Sequence, residues 1–240
     1  MSKCTIFVDD YYNRMATFGD ILNFGTYQTP RRGYNPNPYF DDFSQHILNV
    51  KKSSKETDLS ERSKISLSFF LYKFELILDF CSEYTICVMP SSEAGLQDSG
   101  IRQIASMLAE YPYYANCDCE ESLLFTFADV FVESLEYEVD YLIRDGTDVL
   151  HRTKTVTPKH LGGRRGDINY EMESLDIIED IIDEDLIRGK QVLLLDDIAT
   201  SGASLKAGKE LLLEAGARIV IPFALGETWS YRMKGRQIDV

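Results

Sequence analysis

Cysteine is scarce and poorly placed for chemistry of its own. The five, at positions 4, 81, 87, 117 and 119, are odd in number and form no C-x-x-C pair, which excludes a disulfide framework and a zinc ribbon. Reduced thiols of this kind fit a cytoplasmic protein, which is the expected location. Long apolar runs are missing as well: nothing approaches the length of a bilayer span, and the opening "MSKCTIFVDDYYNR" lacks the basic and then apolar regions of a signal peptide. No membrane association is expected. Positive charge is also in deficit, with 25 Lys and Arg against 39 Asp and Glu and a formal net charge of -14. Direct nucleic-acid binding is therefore not expected, since it relies on neutralising phosphates with Lys and Arg. Neither His151 nor His160 stands at metal-ligand spacing with another His or Cys.

What is present is enough for a full core: 240 residues, 44% of them hydrophobic, need no disulfide or metal to fold. The organisation expected is an α/β domain, a parallel sheet flanked by helices, over residues 58–240, preceded by an accessory segment over 1–57 that is rich in Tyr, Asn and Pro. "KKSSKETD" at 51–58 reads as an exposed linker. Apolar residues from Ile65 through Phe69, Phe70, Phe74 and Ile77 to Cys81 recur at helical spacing over 60–81. "TICVMPSSEAG" at 85–95 reads as strand then turn, and "IRQIASMLAE" at 101–110 as helix. Residues 111–147 fit neither period, and "DVLHRTKTV" at 148–156 resembles a strand. "LKAGKELLLEAGA" has helical spacing up to Gly216, and "RIVIPFALGET" supplies another strand. Alternating strands and helices imply right-handed crossovers, with ligands held at the strands' C-terminal edge.

The informative stretch is "VLLLDDIATSGAS", residues 192–204. Val192 to Leu195 form an apolar run suited to a strand buried on both faces, and Asp196 and Asp197 follow at its C-terminal end. A loop of Thr200, Ser201, Gly202, Ala203 and Ser204 then opens a helix, offering backbone N–H groups, hydroxyls and a glycine that allows close approach, which is what a phosphate needs. The two carboxylates accept hydrogen bonds from sugar hydroxyls, directly or through a hydrated Mg2+. Acids, Ser and Thr also cap turns and helices, but the joint occurrence of strand, acid pair, hydroxyl loop and helix favours a ribose 5-phosphate ligand. A second feature is basic: 151–170 carries Arg152, Lys154, Lys159, Arg164 and Arg165 against Asp167 alone. It reads either as a solvated hairpin or as a flap of cations.

The 192–204 string resembles the phosphoribosyl pyrophosphate signature of the type I phosphoribosyltransferases. Within that family "HRTKTVTPKHLGGRRGDIN" is most similar to the Arg-rich stretch of ComF-type members, with Arg165 and Asn169 matching its Arg and Asn pair. The cysteine-rich ribbon usual in ComF proteins has no counterpart here. The resemblance implies that Asp196 and Asp197 hold the ribose hydroxyls, with Mg2+ as cofactor through water, and that Thr200 to Ser204 bind the 5-phosphate. It implies that Ser91 and Ser92, in "PSSEAG", contact pyrophosphate, and that Arg152 and Arg165 act catalytically from a closing flap. Phosphoribosyl pyrophosphate, or another ribose 5-phosphate ligand, is then the partner, and a homodimer is possible.

That resemblance implies displacement of pyrophosphate from the ribose by an unidentified acceptor. Members acting on 6-oxopurines carry an aspartate where this chain has Thr200, and threonine does not serve as a general base near neutral pH, which argues against hypoxanthine and guanine. A non-catalytic sensor of phosphoribosyl pyrophosphate or a nucleotide, acting through a protein partner, is the second reading. The ComF likeness extends it to DNA uptake or processing.

Overall fold

The computed structural model describes residues 6–7, 16–53, 60–80, 82–94, 99–110, 142–156, 167–178 and 186–228. The central strand is β10 (Gln191–Ala199), whose Val192, Leu193, Leu194 and Leu195 are all fully buried. It lies between two parallel neighbours, β6 (Tyr84–Val88) and β11 (Ile219–Thr228). Such a position demands apolar residues on both faces, and burying each of the four side chains contributes about 1.5–3 kcal/mol. On one side, β6 pairs with β7 (Ile143–Gly146), also parallel. On the other, β11 pairs with β2 (Ile21–Asn23) and β3 (Thr26–Tyr27), and β1 (Ala16–Phe18) closes the edge antiparallel to β2. The result is the expected α/β architecture, a mostly parallel sheet flanked by helices.

Successive β10 side chains feed two cores. Leu193 and Leu195 join Phe223 and Leu225 under α1 (Asp42–Ser53), α2 (Glu61–Glu75) and α3 (Gly100–Ala109). Val192 and Leu194 pack with Leu205, Ala207 and Leu212 of α5 (Ala203–Glu214). The first core centres on aromatic rings: Phe24, Phe74 and Phe223 meet at centroid separations of 4.9, 4.8 and 5.3 Å. The segment expected to be accessory thus contributes β1–β3 to the sheet and α1 to the core, through Ile47 and Val50. α1 runs on to Ser53, so 51–53 are helical where a linker was expected, and 54–59 lie outside the described residues.

Other expectations shift by short distances. α2 stops at Glu75 because Leu78 leaves the helix to bridge Phe7 and Asp79 N–H donates to Ile6 O at 2.9 Å. The strand expected over 148–156 contracts to β8 (Leu150–Arg152), antiparallel to β9 (Leu175–Ile177). A short helix, α4 (Ile168–Met172), joins them, capped by Asp167. β7 came from the stretch with no clear period, of which 111–141 lies outside the described residues. A further hairpin pairs β4 (Arg31–Arg32) with β5 (Asn35–Pro36). No described helix is long and apolar enough to cross a membrane.

Phe223 is fully buried against three other rings, so Phe223→Ala is expected to lower unfolding free energy by about 3–5 kcal/mol. Urea denaturation followed by circular dichroism measures this, and an unchanged midpoint contradicts the packing described.

Candidate functional site

The C-terminal edge of the sheet is where β10 turns from apolar to polar. Asp196 and Asp197 are half-buried there, and Asp196 Oδ1 accepts the Asp197 N–H at 2.8 Å. Burial first, and the neighbouring charge of Asp197 second, push the Asp196 carboxyl up to about 8. A carboxylate so placed gains from a cation or from hydroxyl donors set against it. Among the described residues no group of three or more His, Cys, Asp or Glu side chains gathers as a metal cage. Two carboxylates nevertheless suit Mg2+, which keeps several waters and shares its shell with ligand phosphates. The donor set therefore fits the implied cofactor.

The chain then passes through Thr200, exposed, and Ser201, half-buried, to Gly202, whose φ of 72° lies in the left-handed region. Gly202 is the N-cap of α5 and makes no side-chain cap bond. Only glycine adopts this conformation without cost, and it turns the first backbone N–H groups of α5 toward the strand edge. Ser201 Oγ accepts the Ala203 N–H at 3.4 Å, Ala203 is buried, and Ser204 is half-buried. The acids and the 200–204 loop are thus adjoining parts of one strand-to-helix connection.

The 90–94 loop follows the neighbouring strand. The Met89 N–H donates to Leu195 O at 2.8 Å, which carries the β6–β10 pairing to the residue before Asp196. Ser91, half-buried, and Ser92, exposed, thereby reach the same edge. Their carbonyls are occupied: Ser91 O accepts from Arg152 Nε at 2.9 Å and Ser92 O from the Val156 N–H at 2.8 Å. Thr155 Oγ1 accepts the Ala94 N–H at 3.2 Å. A cavity of about 150 Å3 beside this loop is lined by Ser91, Glu93, Ser99, Arg102 and His151 among others.

Arg152 differs from the expected flap cation. Its guanidinium is buried, donating to Glu171 Oε2 at 3.2 Å and Ser174 Oγ at 2.6 Å as well as to Ser91 O. It is a strut on β8, because a charge removed from water must have all its donors satisfied nearby. Lys154 is exposed, whereas Lys159, His160, Arg164 and Arg165 lie outside the described residues.

Residues with no signal in the sequence complete the edge. Lys51 Nζ stands 3.1 Å from Asp197 Oδ2, and that carboxylate is the main cause of the rise in the lysine's pKa. Burial raises the Tyr27 hydroxyl, which lies within electrostatic reach of Lys51 and Asp197. Glu227, in register with Ala199, has one carboxylate oxygen buried without a partner among the described residues, and burial raises its pKa. Asn23 shares a sheet row with Ala224 and Asp196, and its amide is buried and unpartnered among the described residues. Strand pairing and helix packing bring these groups in from as far as 174 residues along the chain, Asn23 to Asp197, which no local pattern encodes.

Comparison with known proteins agrees with this geometry. Residues 155–235 match the family model of the phosphoribosyl transferase domain. That span holds the acid pair, the 200–204 loop, α5 and β11, while β6, the 90–94 loop and Lys51 fall outside it. An adenine phosphoribosyltransferase of Treponema denticola is 33% identical over 72 residues, which is 30% of this chain. The match spans 36% of that relative's length. Both findings support the type I phosphoribosyltransferase resemblance.

Removing Arg152 takes the guanidinium away from the buried carboxylate of Glu171. Arg152→Met is expected to cost about 3–5 kcal/mol of stability, and Arg152→Met with Glu171→Leu to recover most of it. Denaturation of both variants measures this, and equal losses in the two exclude the strut.

Proposed function

We propose that this chain binds phosphoribosyl pyrophosphate at the C-terminal edge of its sheet and transfers the phosphoribosyl group to an acceptor, releasing pyrophosphate. The observation that carries this is the joint placement of Asp196 and Asp197 beside a helix entered through a left-handed glycine. Asp196 and Asp197 accept the ribose hydroxyls, and Thr200 to Ser204 bind the 5-phosphate through hydroxyls and backbone N–H groups. Ser91 and Ser92, one strand away, face the pyrophosphate. When bound, Mg2+ supplies neutralisation of the leaving group's charge, anchored through water to Asp196 and Asp197.

In the reaction the acceptor's lone pair forms a bond to the ribose C1 as the bond from C1 to pyrophosphate breaks, through an oxocarbenium-like state. The bonding electrons leave with pyrophosphate, so cations held toward it lower the barrier. Arg165 has that role, while Arg152 keeps the Ser91 loop in position. No protein nucleophile is required. Thr200 disfavours hypoxanthine and guanine as acceptors, and the unpartnered oxygen of Glu227 suits an acceptor carrying N–H donors.

A second reading is a ComF-type sensor that binds the same ligand without turnover and signals to a protein partner. The exposed anion of Glu93 in the 90–94 loop favours it, because it opposes pyrophosphate there. Pyrophosphate release with Mg2+ across amines and nucleobases distinguishes a transferase from saturable binding alone.

Asp196→Asn combined with Asp197→Asn removes both anionic acceptors at nearly constant volume. Calorimetry with phosphoribosyl pyrophosphate and Mg2+ is expected to show a loss of about 3 kcal/mol or more, with the circular dichroism spectrum retained. Unchanged affinity in the folded variant rules out the assignment. Arg165→Gln is expected to raise the activation barrier by about 2–4 kcal/mol with little change in donor affinity, and wild-type turnover in it removes the flap from the mechanism.

A further inference from the structure

The acid pair already carries a cation from the chain itself, and rigid packing delivers it. Gly226 has no side chain, and a Cβ built there meets Ile47 Cδ1 at 2.6 Å, so Ile47 of α1 packs directly over the bare backbone of β11. Ile47 and Lys51 are one helical turn apart on the same face of α1, and Val50, fully buried, fixes the helix's rotation. Ser66 Oγ of α2 holds α1 from the other side, at 3.0 Å from both His46 Nδ1 and Asn49 Nδ2. Lys51 Nζ therefore reaches Asp197 Oδ2, at 3.1 Å, from a helix packed into the core. The ammonium group stays partly open to solvent, with its side chain 55% exposed.

We infer that Lys51 is a resident counter-ion of the acid pair that competes with a divalent cation, so that metal binds there only when Lys51 leaves Asp197. This rests on the reading of Asp196 and Asp197 as the metal and ribose site. A divalent cation set beside the ammonium on the same carboxylate is repelled by it, whereas Lys51 offset from Asp197 leaves the carboxylate open to the ion. The consequence is selectivity for occupancy: free divalent ions are held weakly, and the pair stays neutralised between ligands. It also gives α1 a functional role, because the same helix that packs the first core sets the charge at the site.

Mn2+ titration of the full chain at low ionic strength, followed by the electron paramagnetic resonance signal of the free ion, tests this without turnover. Lys51→Gln, which removes the charge and keeps a polar side chain, is expected to bind Mn2+ about tenfold more tightly than wild type. Lys51→Met is expected to match it, and Lys51→Arg to stay at the wild-type value. Adding Asp197→Asn is expected to abolish the gain. Equal or weaker Mn2+ affinity in Lys51→Gln and Lys51→Met overturns the inference, as does a gain that persists beside Asp197→Asn. Either result leaves the ligand assignment standing, since calorimetry on the Asp196 and Asp197 variant tests that separately.

Discussion

The burial of β10 on both faces is the constraint from which the rest follows. A strand with parallel neighbours on either side and helices above and below must be apolar along its length, and Val192 to Leu195 meet that demand. Polar chemistry is then admissible only where the strand emerges from between the helices. Asp196 and Asp197 stand at that point, so their carboxylates are partly withdrawn from water yet open at the edge. Withdrawal makes the pair costly when unpaired and strongly attractive to cations and hydroxyls.

Two neighbouring strands convert that single edge into a site. β6 is locked to β10 up to Met89 and Leu195, so the 90–94 loop leaves the sheet alongside the acids. β11, on the other side, brings Glu227 level with Ala199. The 90–94 loop is in turn fastened to the 152–156 segment through Arg152, Thr155 and Val156. A basic segment that reads as a free flap is therefore anchored at its start to the 90–94 loop. Burying Arg152 with Glu171 and Ser174 makes that anchor rigid.

The N-terminal part of the chain contributes more than cover. β2 and β3 extend the sheet beyond β11, and α1 packs on it through Ile47 at Gly226. That close approach, made possible by a missing Cβ, carries Lys51 to Asp197. Charge at the ligand site and packing in the first core thus depend on one helix.

Read alone, the sequence determined the features that depend on neighbours along the chain. The apolar run of 192–195, the acid pair, the small hydroxyl loop and the helix to Gly216 are local, so periodicity and the strand, turn and capping chemistry of "DDIATSGAS" were legible together with the α/β class. The tertiary structure alone decided what sits across from them. Lys51 lies in a stretch that reads as linker, and becomes a counter-ion only because Ile47 and Val50 seat α1 on β11. Arg152 reads as a flap cation and becomes a strut because Glu171 and Ser174 fold beneath it. Leu78 reads as helix and becomes a bridge to Phe7. In each case long-range burial outweighs a local preference worth well under about 1 kcal/mol per residue, and such pairings leave no periodic trace in the chain.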